Sequence, residues 1–230
     1  MKLGILGGMG PMATVYFTEL LVRMTKASCD SDHLEMVIYN IPTIPDRTSY
    51  IIGKSEESPL PKMKEILEQM KKQKVDYVAI PCMTAHYFYD ELSKSGVPII
   101  HALRETAMEL KRQGISKVGL MATDGTISSK VFQNILGLYE IETVIPDEIH
   151  QKKVMSIIYD EIKAGIMPTI DEFWELKEYF LQQEGAQMII LGCTELSLIK
   201  KEYNLGKCVI DTLDVLAKKS LEMCGKEVIS

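Results

Sequence analysis

Basic clusters are missing from this sequence. Its 26 Lys and Arg stand against 32 Asp and Glu, a net charge of −6 spread along the chain rather than gathered in blocks. Nucleic-acid binding needs a basic patch, so nucleic acid is not expected as a partner. Long apolar runs are missing too. None approaches the roughly 20 residues of a membrane span, so no membrane association is expected. The opening Met1-Lys2-Leu3-Gly4-Ile5-Leu6-Gly7-Gly8 is too short and glycine-rich to read as a signal peptide. Cysteine pairing is absent as a pattern. Cys29, Cys82, Cys193, Cys208 and Cys224 are odd in number, far apart and form no CxxC. Such a set reads as reduced thiols in a cytoplasmic protein, not as a disulfide framework.

What is present is an ordinary globular composition. The 230 residues are 46% apolar, enough to bury a core without staples. Short β-rich runs alternate with longer amphipathic stretches. Strands are expected over residues 3–6, 35–39, 77–80 and 98–100, with helices over 14–26 and 60–73, another after the third strand, and one running through Lys111. In the second helix Met63, Ile66, Leu67 and Met70 fall on one face. The second half repeats the layout. Strands are expected over 117–121, 142–145, 187–191 and 209–210, and helices after Thr126, over 153–164 and 171–183, and from about Thr212. Alternation of this kind predicts an α/β fold of parallel sheets with crossover helices.

The halves can be laid over one another. Gly4-Ile5-Leu6 matches Gly119-Leu120-Met121. Cys82 lies 78 residues after the first of these glycines and Cys193 lies 74 after the second. The next β-run begins 15 residues past each cysteine, at Val97 and Cys208. The expectation is two similar lobes, each a parallel sheet flanked by helices, related by pseudo-two-fold symmetry. The first lobe would comprise residues 1–100 plus about 210–230, and the second residues 101–209.

Both matched cysteines follow an apolar strand and precede a helix. Ligands of open α/β sheets bind at that edge. A helix N-terminus there offers free N–H groups and partial positive charge, which favour a thiolate. Two such thiols facing one substrate suit inversion of a stereocentre: one removes the Cα proton as thiolate, the other returns a proton as thiol. The enediolate that develops needs electrostatic stabilisation, for which Thr84, Thr194, helix N–H groups and a cation are the candidates.

Other features read as structural. Free cysteines are commonly buried, which accounts for Cys29, Cys208 and Cys224. His86, four residues past Cys82, fits a role behind that cysteine or at the helix start. No second close Cys/His pair accompanies it, so no metal site is expected. His33, His101 and His150 carry no pattern. Gly7-Gly8-Met9-Gly10 falls short of a dinucleotide fingerprint, because Pro11 interrupts it and the second strand ends in Tyr39-Asn40. These glycines are expected to let the backbone approach a substrate closely.

At these residues the sequence resembles a known family. Gly4-Ile5-Leu6-Gly7-Gly8-Met9-Gly10-Pro11-Met12-Ala13-Thr14 resembles the start of the aspartate/glutamate racemases. Pro81-Cys82-Met83-Thr84-Ala85-His86 and Gly192-Cys193-Thr194-Glu195 resemble their two cysteine motifs, and the similarity covers nearly the whole chain. The resemblance implies a dimeric amino-acid racemase that uses no cofactor, with its site between the lobes and an acidic amino acid as substrate. It implies Cys82 and Cys193 as the catalytic pair, and Met9, Arg47, Met83, Thr84, Thr123, Lys163 and Thr194 as the substrate-binding set. Position 83 departs from the family pattern, which has asparagine there. Methionine neither donates nor accepts comparably. Two further readings follow from that departure: a related isomerase of the hydantoin racemase or maleate isomerase type, and an amino-acid-binding protein without turnover.

Overall fold

The computed structural model describes residues 1–229. In chain order the elements are β1 (Lys2–Gly7), α1 (Pro11–Met24), β2 (Glu35–Asn40), α2 (Arg47–Ile51), α3 (Leu60–Lys72), β3 (Tyr77–Ala79), α4 (Tyr89–Leu92) and α5 (Ala102–Arg112). The second half contributes β4 (Lys117–Met121), α6 (Asp124–Ser129), α7 (Val131–Leu138), β5 (Glu142–Val144), α8 (Glu148–Ser156), α9 (Ile170–Glu178), β6 (Met188–Leu191), α10 (Thr194–Glu202), β7 (Val209–Asp211) and α11 (Thr212–Met223).

All the strands pair in parallel, in two sheets ordered β2-β1-β3 and β5-β4-β6-β7. Residues 98–100 lie beside β3, where Val78 N donates to Pro98 O (2.8 Å) and Ile100 N to Val78 O (2.9 Å). Counting that segment, the two sheets share one strand order. The central strands β1 and β4 are apolar on both faces, as sheets covered by helices on each side require: Leu3, Ile5, Leu6, Val118, Leu120 and Met121 are all fully buried. α3 buries the four residues at 3.6 spacing, Met63, Ile66, Leu67 and Met70. This is an α/β fold of two lobes, each a parallel sheet flanked by helices.

β7 stays with the second sheet, but α11 leaves it and packs on α1 and α5. Backbone bonds from Lys26 N to Glu227 O (2.9 Å) and from Ile229 N to Met24 O (2.8 Å) tie the chain after α11 to the end of α1.

Several helices differ from expectation, each for a local reason. The first begins at Pro11, which is preorganised for the first helical position and needs no N–H there. The helix expected over 153–164 begins at Glu148, because Asp147 caps it by accepting from His150 N (2.9 Å). Its regular α-geometry stops at Ser156. Residues 157–161 then widen into a π-turn, residues 162–164 tighten, and Gly165 ends the segment at φ +83°. α9 likewise widens after Glu178. After Cys82 a tight turn over Thr84–Phe88 leads into a single turn of α-helix.

The matched glycines have different surroundings. A Cβ on Gly4 would lie 2.9 Å from the Met70 sulfur, far out on an unbranched side chain, whereas one on Gly119 would lie 2.4 Å from the Phe180 ring and 2.9 Å from its Cβ. Both neighbours are fully buried, but the Phe180 contact is closer and reaches the rigid ring and its Cβ. Gly119→Ala is therefore expected to lose ~1–3 kcal/mol of stability through overpacking, and Gly4→Ala clearly less. Urea unfolding of the two variants checks this.

Candidate active site

One small cavity between the lobes is lined by all nine residues singled out above: Met9, Arg47, Cys82, Met83, Thr84, Thr123, Lys163, Cys193 and Thr194. Asp46, Thr48, Tyr159 and Glu195 complete its wall. Cys82 follows β3 and Cys193 follows β6, so the two thiols enter from corresponding edges of the two sheets. Both are buried.

The charges around the two thiols are opposite. Beside Cys82 lies Arg47, at the start of α2 and itself buried. Its Nη1 donates to Ile44 O (3.2 Å) and Pro45 O (3.0 Å), and its Nη2 to Met9 O (3.2 Å). Its Nε is buried with no protein partner. Burial works against the guanidinium charge, but Cys82 and Asp46 beside it more than offset that and raise the Arg47 pKa. Asp46 caps the helix that carries Arg47, accepting from Ser49 N (2.7 Å).

Cys193 meets a carboxylate instead. Its thiol donates to Glu195 Oε2 at 2.9 Å. The same oxygen accepts from Thr194 Oγ1 (3.3 Å), while Glu195 Oε1 lies 3.8 Å from Lys163 Nζ. Burial and the Glu195 charge push the Cys193 thiol well above its ordinary value, with Lys163 acting the other way. At this position Cys193 is a proton donor. The residue stands at the N-cap of α10, so the open N–H groups and partial positive charge of that helix face the cavity.

Lys163 reads from sequence as part of a solvated helix face; it sits on the tightened turn after the π-turn, where its backbone is open to solvent but its side chain is only 25% exposed. Irregular turns of this sort recur at functional sites. Its ammonium stands 4.3 Å from the centre of the Tyr159 ring, a cation–π contact. Burial disfavours the Lys163 charge, yet Glu195 and Tyr159 outweigh it and raise its pKa. Tyr159 in turn donates to Asp46 Oδ2 (3.2 Å) across the lobes; burial pushes its own pKa up to about 12.

Three threonines of the wall, with Thr126 behind them, join their hydroxyls in one network. Thr48 donates to Thr123 (3.1 Å), and Thr84, Thr123 and Thr126 lie 2.9–3.2 Å apart as a triangle. Thr123 also caps α6, accepting from Thr126 N. Met83 is buried and packs into the main apolar core alongside Cys193, so the family's asparagine position presents an apolar wall.

The glycine loop was expected to make room for substrate, but part of that room goes to the protein. Gly8, at φ +94°, lies where a Cβ would sit 2.3 Å from the Ile41 backbone. A Cβ on Gly10 would sit 2.9 Å from Glu195 Oε1. Among the described residues, no three His, Cys, Asp or Glu side chains are grouped as a metal would need, and no helix is long and apolar enough to cross a membrane.

Fold and site together define a two-lobe α/β protein with a pair of thiols in a charged interlobe cavity. Residues 6–219 match the family described as Asp/Glu/Hydantoin racemase, and the chain belongs to that family. It is 29% identical over 227 residues to the broad specificity amino-acid racemase RacX of Bacillus subtilis (strain 168), covering 95% of this chain and 96% of that protein. Among solved structures, the aspartate racemase of Picrophilus torridus superposes with a TM-score of 0.83 at 33% identity, covering 99% of this chain and 96% of that one. Glutamate racemase from Francisella tularensis, solved with D-glutamate, shares the fold at TM-score 0.68 and 18% identity, over 96% of this chain and 80% of that one.

His86 stands behind Cys82. Its Nδ1 lies 3.1 Å from Cys82 O and its Nε2 accepts from Ala102 N at 3.2 Å. The second bond leaves the proton on Nδ1, which donates to the Cys82 carbonyl. Burial pulls the His86 pKa down to about 4. The unfolded chain takes up this proton near 6.5 and the folded chain only near 4, so stability present above 6.5 is lost as pH falls between those values. At ~1.4 kcal/mol per pH unit, this window is worth on the order of 3 kcal/mol. Asp211, pushed up to about 7 by burial, acts in the opposite sense. The check is therefore a difference: urea midpoints of wild type and His86→Gln should converge between pH 6.5 and 4.

Proposed function

We propose that the protein racemises an acidic amino acid, aspartate or glutamate, without a cofactor, passing the Cα proton between Cys82 and Cys193. The observation that carries this reading is the pair of buried thiols on one cavity with a cation beside one and a carboxylate beside the other. Arg47 stands on the Cys82 side of the cavity, and burial with Glu195 keeps Cys193 protonated. Cys82 then removes the Cα proton from one face and Cys193 delivers a proton to the other. In the reverse direction the roles exchange.

The difficulty of the reaction is the weak acidity of an amino acid's Cα–H. Charge spreads onto the substrate carboxylate as the proton leaves, and preorganised donors must meet it there. Arg47 Nε, the hydroxyls of Thr84 and Thr123, and the N-terminus of α10 are such donors. Lys163 supplies the second cation, suited to a side-chain carboxylate. Glu195 and Asp46 are acceptors for the α-ammonium group. The similarity to an aspartate racemase at 33% identity supports the acidic substrate.

The experiment is racemisation of L- and D-aspartate and glutamate in D2O, followed by chiral chromatography and NMR. Wild type should place solvent deuterium at Cα. Cys82→Ala and Cys193→Ala should each lose at least ~10²-fold in racemisation, the lower end for a missing acid or base. Wild-type rates in both variants would exclude the two-thiol mechanism.

Glu195→Gln tests the charge asymmetry. It removes a carboxylate that raises the Cys193 pKa, so Cys193 should ionise at lower pH. In the direction that uses Cys193 as the acid, the alkaline limb of the pH–rate profile should move to lower pH. An unmoved limb would mean that Glu195 does not tune that thiol.

A further inference from the structure

The cavity at the thiols measures only about 10 Å³, room for about one water molecule. A substrate α-carbon can be accommodated there with modest adjustment, but a side chain of several atoms needs another space. A groove of about 570 Å³ opens alongside and shares Asp46, Arg47, Lys163 and Glu195 with the cavity. Beyond those four the groove changes character. Pro11, Met12, Val15, Ile44 and Leu198 line it, with Asn40 as a polar side chain. All its charged groups lie where it joins the cavity, two cations and two carboxylates.

Those charges balance, Arg47 against Asp46 and Lys163 against Glu195, as do the ammonium and carboxylate of an α-amino acid. An uncharged side chain running outward leaves no charge unpaired, and its methylenes leave water for an apolar wall. Each methylene buried is worth roughly fourfold in binding. An acidic side chain is short and ends at Lys163, at the groove's inner end.

We propose that this groove is the channel for the substrate side chain, and that the protein also racemises amino acids with long uncharged side chains, methionine and leucine among them. This rests on the racemase reading above. Met12 and Val15 are the specificity-determining positions, both in the first turns of α1 and more than half exposed (63% and 53%), so they can be replaced without disturbing the core.

The experiment measures deuterium entry at Cα for L-aspartate, L-alanine, L-methionine and L-leucine. The expected result is exchange with methionine and leucine, each with kcat/KM at least tenfold above alanine. Met12→Glu sets a carboxylate into the apolar wall and should lower the methionine-to-aspartate ratio of kcat/KM at least tenfold. Two outcomes overturn the inference while leaving the racemase reading intact: exchange with aspartate but with neither methionine nor leucine, or a Met12→Glu variant that scales every substrate equally. Exchange with no amino acid at all overturns the racemase reading and the inference with it.

Discussion

A buried carboxylate must have all its partners, and Glu195 imposes that condition on the whole site. At 4% exposure it has lost its water. Removing one partner of a buried charge costs several kcal/mol, so the Cys193 thiol, Thr194 and Lys163 all have to be held in place. The demands propagate. Lys163 rests on the Tyr159 ring, Tyr159 donates to Asp46, Asp46 caps the helix that carries Arg47, and Arg47 holds the Met9 carbonyl next to Gly10. Gly10 in turn leaves space for Glu195. The circuit crosses between the lobes and closes on itself, so the lobes' relative placement and the charge pattern at the thiols are set together.

The duplication supplies a symmetric frame, and the local partners break the symmetry. Two matched strands bring in two matched cysteines, yet one stands by a guanidinium and the other by a carboxylate. The His86 bridge to Ala102 belongs to the first motif only; Glu195 belongs to the second. In the proposed reaction this difference makes the two thiols inequivalent, with Cys193 held protonated by burial and its carboxylate neighbour.

Much of this was legible from the residues. Short β-rich runs alternating with amphipathic stretches marked parallel sheets with crossover helices, and the matched glycines and equal spacing past each cysteine marked two lobes. Nine of the thirteen cavity residues were named from the cysteine motifs and the family resemblance. What escaped notice depended on tertiary neighbours. Glu195 was visible beside Cys193, but nothing local indicated that its carboxylate would turn inward to meet the thiol. Tyr159 precedes Lys163 by four positions, a helical spacing, but a charged helix face gives no reason to choose it. The π-turn that precedes Lys163 has no signature in the amphipathic pattern. Asp46 and Thr48 flank Arg47 and became meaningful only once α2 was seen to start there.

The return of α11 to α1 bears on how the protein is made. Helix α1 leaves the ribosome early and α11 late, with some 190 residues between them. The apolar face of α1 that buries Phe17 and Leu21 stays incompletely covered until Leu213, Leu216 and Leu221 arrive. The first lobe therefore cannot mature as an independent unit during synthesis, as many two-lobe proteins do. Closing so long a loop also slows folding. The nascent first half would need protection from aggregation until translation is nearly finished.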